Sequence, residues 1–202
     1  MGVCTNGNRI RRVKGKDNNT TYTMSDISRN NNTINSSFQS NNLNRTDPNI
    51  NINNEIKKTG NDIYKALEEH NIIRKNYNLK PLKINDDLCE LAQRYADKCA
   101  ETESLDHCPL LYKGNIIGEN IKEIDDEKID VSKICEEWIN EKMNIDDKNG
   151  KFNSIASHAS QIIWRETKEV GFGFSTSPNN KTYFVAYYYP AGNIISNLKN
   201  NL

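Results

Sequence analysis

The most regular signal in the sequence is a stripe of apolar and small residues with the helical spacing i, i+3, i+4, i+7, i+8 and i+11. Its members are Leu88, Leu91, Ala92, Tyr95, Ala96 and Cys99. This spacing places all of them on one side of a helix, and Asn85 or Asp86 before it is a suitable N-terminal cap. The stripe therefore predicts an amphipathic helix that starts near residue 86 and buries one face in a core.

Weaker patterns predict two more helices and three strands. The additional helices are expected at 61–76 and 128–143. The strands are expected at 116–121, 169–175 and 182–189, with a hairpin turn at 176–180 between the last two. Helices and strands interspersed in this way favour an α/β (α+β) fold in which a sheet is covered on both sides.

The composition divides the chain at about residue 54. Only 35% of all residues are hydrophobic, and residues 1–54 are dominated by Asn, Ser and Thr without apolar periodicity. Such a segment cannot bury enough apolar surface to offset its chain entropy, so we predict a disordered tail at 1–54 and a folded domain at 55–202. The tail holds seven Lys/Arg and three Asp/Glu, whereas the remainder holds 20 and 24. The predicted domain is thus net negative, and we expect no nucleic-acid partner.

The N-terminus resembles the N-termini of acylated proteins. Gly2 follows the initiator Met and Cys4 stands two residues on, as in chains that are myristoylated and then palmitoylated. A basic patch follows, formed by Arg9, Arg11, Arg12, Lys14 and Lys16. A second acyl chain or a basic patch makes the binding of an acylated protein to an anionic membrane stable. Asn6 departs from the motif, which prefers Ser or Thr, and the alternative is a basic tail that merely begins with Met-Gly.

The cysteines favour a reducing compartment. There are five, Cys4, Cys89, Cys99, Cys108 and Cys135, with no C-x-x-C pair. Three of them fall on or beside apolar helical stripes, where a reduced cysteine behaves as a small hydrophobic residue. No apolar stretch of signal-peptide length follows Met1, and no apolar run is long enough to span a bilayer. We therefore expect free thiols and no secretory signal.

Four polar residues are candidates for a functional site. Glu141 lies three positions beyond Trp138 and seven beyond Ile134, at the edge of the inward face of the predicted third helix. A carboxylate at such a place needs a cation, a metal or hydrogen-bond donors, because an unpaired buried charge is costly. The other candidates are His107, Glu119 and His158. Spacing alone does not bring these four residues together.

A family resemblance does so. Two stretches resemble family signatures: Ser157-His158-Ala159-Ser160-Gln161-Ile162-Ile163-Trp164 and Tyr188-Tyr189-Pro190-Ala191-Gly192-Asn193. Upstream motifs follow in the family order: His70-Asn71-x-x-Arg74, Pro81-Leu82, Ala92-Gln93, His107, Gly118-Glu119-Asn120 and Trp138-x-x-Glu141. Together they resemble the CAP superfamily of cysteine-rich secretory, antigen 5 and pathogenesis-related proteins, over roughly residues 60 to 196. The resemblance implies an α-β-α sandwich.

The resemblance also implies a site. By motif match, His107, Glu119, Glu141 and His158 correspond to the two histidines and two glutamates that line the central CAP cavity. In family members the histidines can bind zinc or a similar divalent ion, which suits the chemistry of imidazole and carboxylate ligands. His107 and His158 are therefore the expected metal ligands, in an open and exchangeable site. The alternative is a hydrogen-bonded His/Glu cluster that stabilises the cavity wall without metal.

Other motif positions are expected to be structural. His70 is expected to be structural, Asn71 and Arg74 to cap and pin neighbouring loops, and Gln161 and Trp164 to pack and position. Secreted family members usually carry disulfide cysteines where this chain has Phe172 and Ala186. The pattern resembles the intracellular branch, typified by Golgi-associated plant-pathogenesis-related proteins. Ser157 and Ala159 replace the usual Gly or acidic residue and the usual aromatic, which affects ligand identity more than fold.

For function, the resemblance implies a non-enzymatic domain that binds sterol, fatty acid or anionic phospholipid. With the acylated basic tail, we expect association with the cytoplasmic face of Golgi or plasma membranes, and self-association into a homodimer. An alternative from another class is a zinc-dependent hydrolase with Glu119 or Glu141 as base, although neither H-E-x-x-H nor G-x-S-x-G is present. A third is an immunomodulatory protein that is released without a signal peptide.

Overall fold

The computed structural model describes residues 52–107, 109–126, 128–141 and 157–202, together with the backbone of Val13–Lys14 and Thr21–Tyr22. The predicted acylation residues Gly2 and Cys4 lie outside these residues. So do the basic residues Arg9, Arg11, Arg12 and Lys16 and the side chain of Lys14. The prediction of a disordered tail therefore stays a prediction for most of its length.

The described elements alternate between helices and strands. The helices are α1 (Ile52–Asn76), α2 (Asp86–Thr102), α3 (Val131–Asn140), α4 (Ser157–Ile162) and α5 (Leu198–Asn201), the last preceded by a 3-10 turn at Ile195–Asn197. The strands are β1 (Val13–Lys14), β2 (Thr21–Tyr22), β3 (Lys83–Ile84), β4 (Leu111–Tyr112), β5 (Asn115–Ile116), β6 (Gly118–Ile124), β7 (Glu169–Thr176) and β8 (Thr182–Tyr189).

A four-stranded sheet in the order β3-β7-β8-β6 forms the centre of the fold. Strand β8 pairs antiparallel with both β7 and β6, and β3 pairs with β7 in parallel. Residues 172 and 186, where secreted family members carry cysteines, face each other as cross-strand partners. The two short pairs β1-β2 and β4-β5 form separate ladders.

Helices cover both faces of this sheet. Helix α2 packs on one face, where its stripe meets Tyr183, Val185 and Tyr187 of β8. The alternate β8 residues Phe184, Ala186 and Tyr188 share the second core with residues of α1, α3 and α4. Because successive side chains of a strand point to opposite faces, a strand buried on both sides is apolar throughout, as β8 is. The predicted α-β-α sandwich is confirmed.

Two glycines let α2 lie directly against β7. A Cβ at Gly171 would stand 2.2 Å from the backbone nitrogen of Cys89, and one at Gly173 would stand 2.3 Å from the carbonyl carbon of Ala92. Neither neighbour is a flexible side chain that could move aside. The close approach of helix and strand therefore requires glycine at both positions.

The C-terminal end of α1 is fixed by two polar side chains. Asn71 exchanges two hydrogen bonds with the backbone of Leu82, at 3.1 and 2.7 Å. The fully buried guanidinium of Arg74 donates to four backbone carbonyls, those of Lys80, Ile162, Trp164 and Thr167. Burial lowers the pKa of Arg74 to about 10. The expectation that both residues pin neighbouring loops is confirmed.

Several boundaries differ from the predictions. Helix α1 begins at Ile52 rather than near residue 61, because extending a packed helix costs far less than nucleating one. Helix α3 runs from Val131 to Asn140, with Asp130 as its cap, and is shorter than the predicted 128–143. Helix α4 was not predicted, because six residues are too few to show a helical period.

Within the described residues, no helix has both the length and the apolar character needed to cross a bilayer.

Candidate functional site

The candidate residues form two histidine–glutamate pairs. His107, in the loop after α2, donates from Nδ1 to Oε1 of Glu119 in β6. His158, at the start of α4, donates from Nδ1 to Oε1 of Glu141 over 2.7 Å. The first pair has side chains 37% and 11% exposed, and the second 17% and 24% exposed. All four side chains are thus partly shielded, and each imidazole has its Nδ1 on a carboxylate.

Glu141 holds His158 by two atoms. It is the C-cap residue of α3, and its Oε2 accepts the backbone N–H of His158 at 3.2 Å. A carboxylate at the first turn of a helix satisfies an N–H that has no partner within the helix. The same carboxylate thereby caps α4 and orients the imidazole. Of the partners that a carboxylate at the edge of the inward face needs, a cation, a metal or hydrogen-bond donors, Glu141 has hydrogen-bond donors.

Ring stacking fixes the plane of the His158 imidazole. Trp138 of α3 stacks on it with centroids 5.4 Å apart and planes 20° apart. Trp138 also stacks on Phe184, and the ring of Phe184 stacks on that of Phe174 with centroids 4.5 Å apart. A column of rings therefore runs from the second core to His158. Such offset stacks contribute roughly 1 kcal/mol each beyond the area that they bury.

Strand β6, at the edge of the central sheet, contacts both pairs. Glu119 is the cross-strand partner of Tyr187, and Asn120 is the partner of Ala186. Tyr187 belongs to the core on the α2 side and Ala186 to the core on the other side. Because neighbouring side chains alternate along a strand, Glu119 reaches His107 on one face while Asn120 reaches the opposite face. There its Nδ2 donates to the backbone carbonyl of His158 at 3.2 Å.

A buried hydrogen-bond chain supports Asn120. Its Nδ2 also donates to the hydroxyl of Tyr188 at 3.1 Å, and Tyr188 donates to Nε2 of His70 at 2.8 Å. Nδ1 of His70 donates to the carbonyl of Ala66, which fixes the neutral tautomer. Burial is the main cause that lowers the pKa of His70 from 6.5 to about 4. The expectation that His70 is structural agrees with these contacts.

The residues fit a divalent cation in two respects. A histidine that binds metal almost always donates its other ring N–H to a carboxylate or carbonyl, and both Nδ1 atoms do so here. Oε2 of Glu119 is buried and, among the described residues, has no hydrogen-bond partner. A buried oxygen of this kind is commonly satisfied by an ion or a water. Within the described residues, however, no group of three or more His, Cys, Asp and Glu side chains converges on one point.

The structure therefore brings the predicted residues together as two pairs. Convergence of all four on one cavity stays a prediction, as does metal binding by His107 and His158. Cys89, Cys99 and Cys135 are free thiols, as expected from their positions, and burial raises the pKa of both Cys99 and Cys135 to about 12.

Gln161 and Trp164 also have the expected packing roles. Gln161 is buried and its Oε1 accepts the N–H of Gly192 at 2.8 Å. Trp164 is fully buried. Sequence reasoning missed the link from Tyr188 through Asn120 to His158. The available signal was alternation, since a strand that aims Glu119 at one face must aim Asn120 at the other.

Comparisons with known proteins agree with the fold. A profile of the cysteine-rich secretory protein family (CAP) matches residues 67–188, more than half of the chain. The chain is 29% identical over 131 residues to Golgi-associated plant pathogenesis-related protein 1 of Homo sapiens, covering 65% of this chain and 84% of the human one.

Solved structures show the same architecture. Venom allergen-like protein 4 of Schistosoma mansoni gives a TM-score of 0.54 at 18% identity, covering 66% of this chain and 90% of its own. The crystal structure of NaASP2 with Zn²⁺ gives a TM-score of 0.50 at 23% identity, covering 65% and 80%. At these identities the likeness concerns the fold.

Proposed function

The chain belongs to the cysteine-rich secretory protein (CAP) family, and from this membership we propose that it binds lipid without catalysing a reaction. The ligand classes are a sterol, a fatty acid or an anionic phospholipid, as the family resemblance implies. The proposed place is the cytoplasmic face of Golgi or plasma membranes. A homodimer is proposed on the same basis.

The observation that supports a binding role is that both carboxylate oxygens of Glu141 accept hydrogen bonds from His158. A general base needs a carboxylate oxygen within reach of the proton that it removes. Oε1 of Glu141 accepts from the His158 ring and Oε2 from the His158 backbone, so both oxygens already hold the histidine in place. Glu141 is thereby a positioning group. A hydrolase would more readily use Glu119, because its Oε2 accepts no hydrogen bond from the described residues.

We propose that zinc or a similar divalent ion occupies the site through Nε2 of His107 and His158. The carboxylate on each Nδ1 supports this assignment, because it fixes the tautomer in which Nε2 is the acceptor nitrogen. A related structure is described as containing Zn²⁺. Two protein nitrogens leave the other coordination positions to water or to an oxygen of a bound ligand. A bound cation would supply a positive charge that attracts an anionic headgroup or a fatty-acid carboxylate.

Membrane attachment is proposed for the N-terminal tail. Gly2, Cys4 and the basic residues that follow provide two acyl chains and a cationic patch. A relative carries the description Golgi-associated in its name, which supports the same location. Exposed apolar side chains at Ile194, Ile195 and Leu202 give the C-terminal segment a surface that suits a lipid interface.

The test of lipid binding is native mass spectrometry of the full chain purified gently from a eukaryotic host. The proposal expects a co-purified lipid, with or without zinc, and the adduct mass identifies its class. Stoichiometric zinc without lipid in this measurement would shift the assignment to a zinc-dependent hydrolase. In that case Glu119→Gln should abolish turnover of an identified substrate, while Glu141→Gln should weaken zinc binding. A bare monomer would contradict the lipid, metal and dimer proposals together.

The test of the tether is the substitution Gly2→Ala, which removes the only N-terminal acceptor for myristate. We expect the full-length variant to move from the membrane to the soluble fraction, because one palmitoyl site without prior myristoylation holds poorly. Gly7→Ala is the matched control, since Gly7 lies in the same segment but not at the acceptor position. Unchanged membrane fractionation of the Gly2 variant would rule out the acyl tether. Recovery of the wild type in the medium would favour release from the cell instead.

A further inference from the structure

We propose that Asn120 is a positioning residue for His158, and that Tyr188 and His70 hold it in the required orientation. Consecutive residues Glu119 and Asn120 of β6 would then set where both histidines stand. This inference rests on the proposed metal site and identifies the side chains that give that site its geometry.

His158 is held at three of its atoms. Glu141 accepts hydrogen bonds from the ring Nδ1 at 2.7 Å and from the backbone N–H at 3.2 Å. Asn120, in the sheet, donates to the backbone carbonyl at 3.2 Å. Glu141 belongs to the end of α3, whereas Asn120 belongs to the central sheet. Of these contacts, only the bond from Asn120 ties His158 to β6, the strand that also carries Glu119, the partner of His107.

The hydrogen-bond chain leaves Asn120 a single orientation. The carbonyl of Ala66 can only accept, so Nδ1 of His70 donates to it and Nε2 must accept from Tyr188. The Tyr188 oxygen then accepts from Nδ2 of Asn120. An amide flip would place Oδ1 of Asn120 against the carbonyl of His158, where two acceptors repel. His70, Asn120 and Tyr188 are all fully buried, so water does not offer an alternative partner.

Strand β6 holds Glu119 and Asn120 at fixed positions in the sheet. Its seven residues pair in register with β8 from Gly118 to Ile124, which fixes the strand against the sheet. Adjacent Cα atoms are about 3.8 Å apart and their side chains leave opposite faces of the strand. Glu119 therefore places the His107 ring and Asn120 places the His158 backbone from two neighbouring points of one rigid element. The positions of both histidines relative to this edge strand therefore depend on Glu119 and Asn120.

The experiment compares Tyr188→Phe with Tyr183→Phe in the full-length protein. Tyr188→Phe removes one hydroxyl and with it the acceptor for Asn120 Nδ2 and the donor to His70 Nε2, but keeps the bond from Asn120 to the His158 carbonyl. Tyr183 is equally buried in the same strand but points to the other core, so its variant is the matched control. Asn120→Leu is a stronger variant that removes both donors at similar volume. The readouts are zinc titration by calorimetry, the NMR signals of the His158 ring and Ala159 amide, and urea stability.

We expect Tyr188→Phe to weaken zinc binding about tenfold, the lower end for residues that orient metal ligands indirectly. The His158 ring and Ala159 amide signals should shift or broaden in this variant and stay in place in Tyr183→Phe. If the two tyrosine variants bind zinc equally well and the His158 signals are unchanged in both, the inference is wrong. So would a loss of zinc affinity that follows the loss of stability in both variants alike.

Failure of the proposed metal site has a different signature. A wild-type protein that binds no zinc would remove that part of the proposed function. The NMR comparison then decides the inference by itself, because the His158 signals do not depend on a bound ion. If Asn120→Leu does not fold, Tyr188→Phe still supplies the comparison, since it keeps the Asn120 donor to the His158 carbonyl.

Discussion

Arg74 offers the sharpest test of how the loop after α4 is held. Its guanidinium donates to Lys80 O and Ile162 O at 2.7 Å. It also donates to Trp164 O at 2.9 Å and to Thr167 O at 3.2 Å. Arg74→Lys keeps the positive charge and most of the stem but replaces a planar fork by a single nitrogen. That nitrogen can reach at most about two of the carbonyls, because they lie on different sides of the fork.

The expected cost follows from the two lost bonds. A hydrogen bond to a charged group contributes about 1.5–3 kcal/mol, so Arg74→Lys should lower the free energy of unfolding by about 3–6 kcal/mol. Domains of this kind have about 5–15 kcal/mol in total, so the loss is a large fraction of the stability. Urea denaturation at pH 7, followed by tryptophan fluorescence and circular dichroism, measures the difference.

Arg94→Lys is the control for the exchange of Arg for Lys. Arg94 forms an i,i+4 ion pair with Glu90 within α2, and such pairs contribute about 0.5 kcal/mol. Its variant should therefore unfold almost as the wild type does. A loss of less than about 1 kcal/mol for Arg74→Lys would refute the reasoning. It would mean that the carbonyls around Arg74 find other donors in the variant.

Two further predictions concern the pH dependence and the helix–strand contact. The pKa of His70 is lowered from 6.5 to about 4. Below pH 6.5 the unfolded chain takes up a proton that the folded protein does not, so the free energy of unfolding falls as the pH drops from 6.5 towards 4. The shift corresponds to about 3 kcal/mol, and His70→Gln should remove this part of the acid destabilisation in urea titrations at pH 7, 5.5 and 4.5. An equal pH slope in both proteins would contradict the assignment. Gly171→Ala should lower the free energy of unfolding by about 3 kcal/mol because its Cβ would meet the α2 backbone. Gly114→Ala, at φ +75° with open space around it, should cost about 1 kcal/mol in the same melts, and the reverse order would show that α2 can move away from β7.

The elements that the sequence identified well are those whose signal is local. The stripe from Leu88 to Cys99 predicted α2 and its Asn85 cap, whose side chain accepts from the N–H of Leu88. Strand β8 has the predicted bounds Thr182–Tyr189, because a strand buried on both faces is a continuous apolar run with turn residues before it. The start of α1 was missed because no local pattern marks the residues that extend a packed helix.

The candidate site shows the limit of such reasoning. The sequence by itself determined which residues are available: two histidines and two glutamates at spacings that resemble one family. Only the tertiary structure decided their pairing, His107 with Glu119 and His158 with Glu141. It also linked Asn120 to the backbone of His158, 38 positions away. Hydrogen bonds of this kind depend on the register of β6 against β8 and on the packing of three helices. Periodicity reports only which side of its own element a residue faces, so these partners become visible only once the elements are assembled.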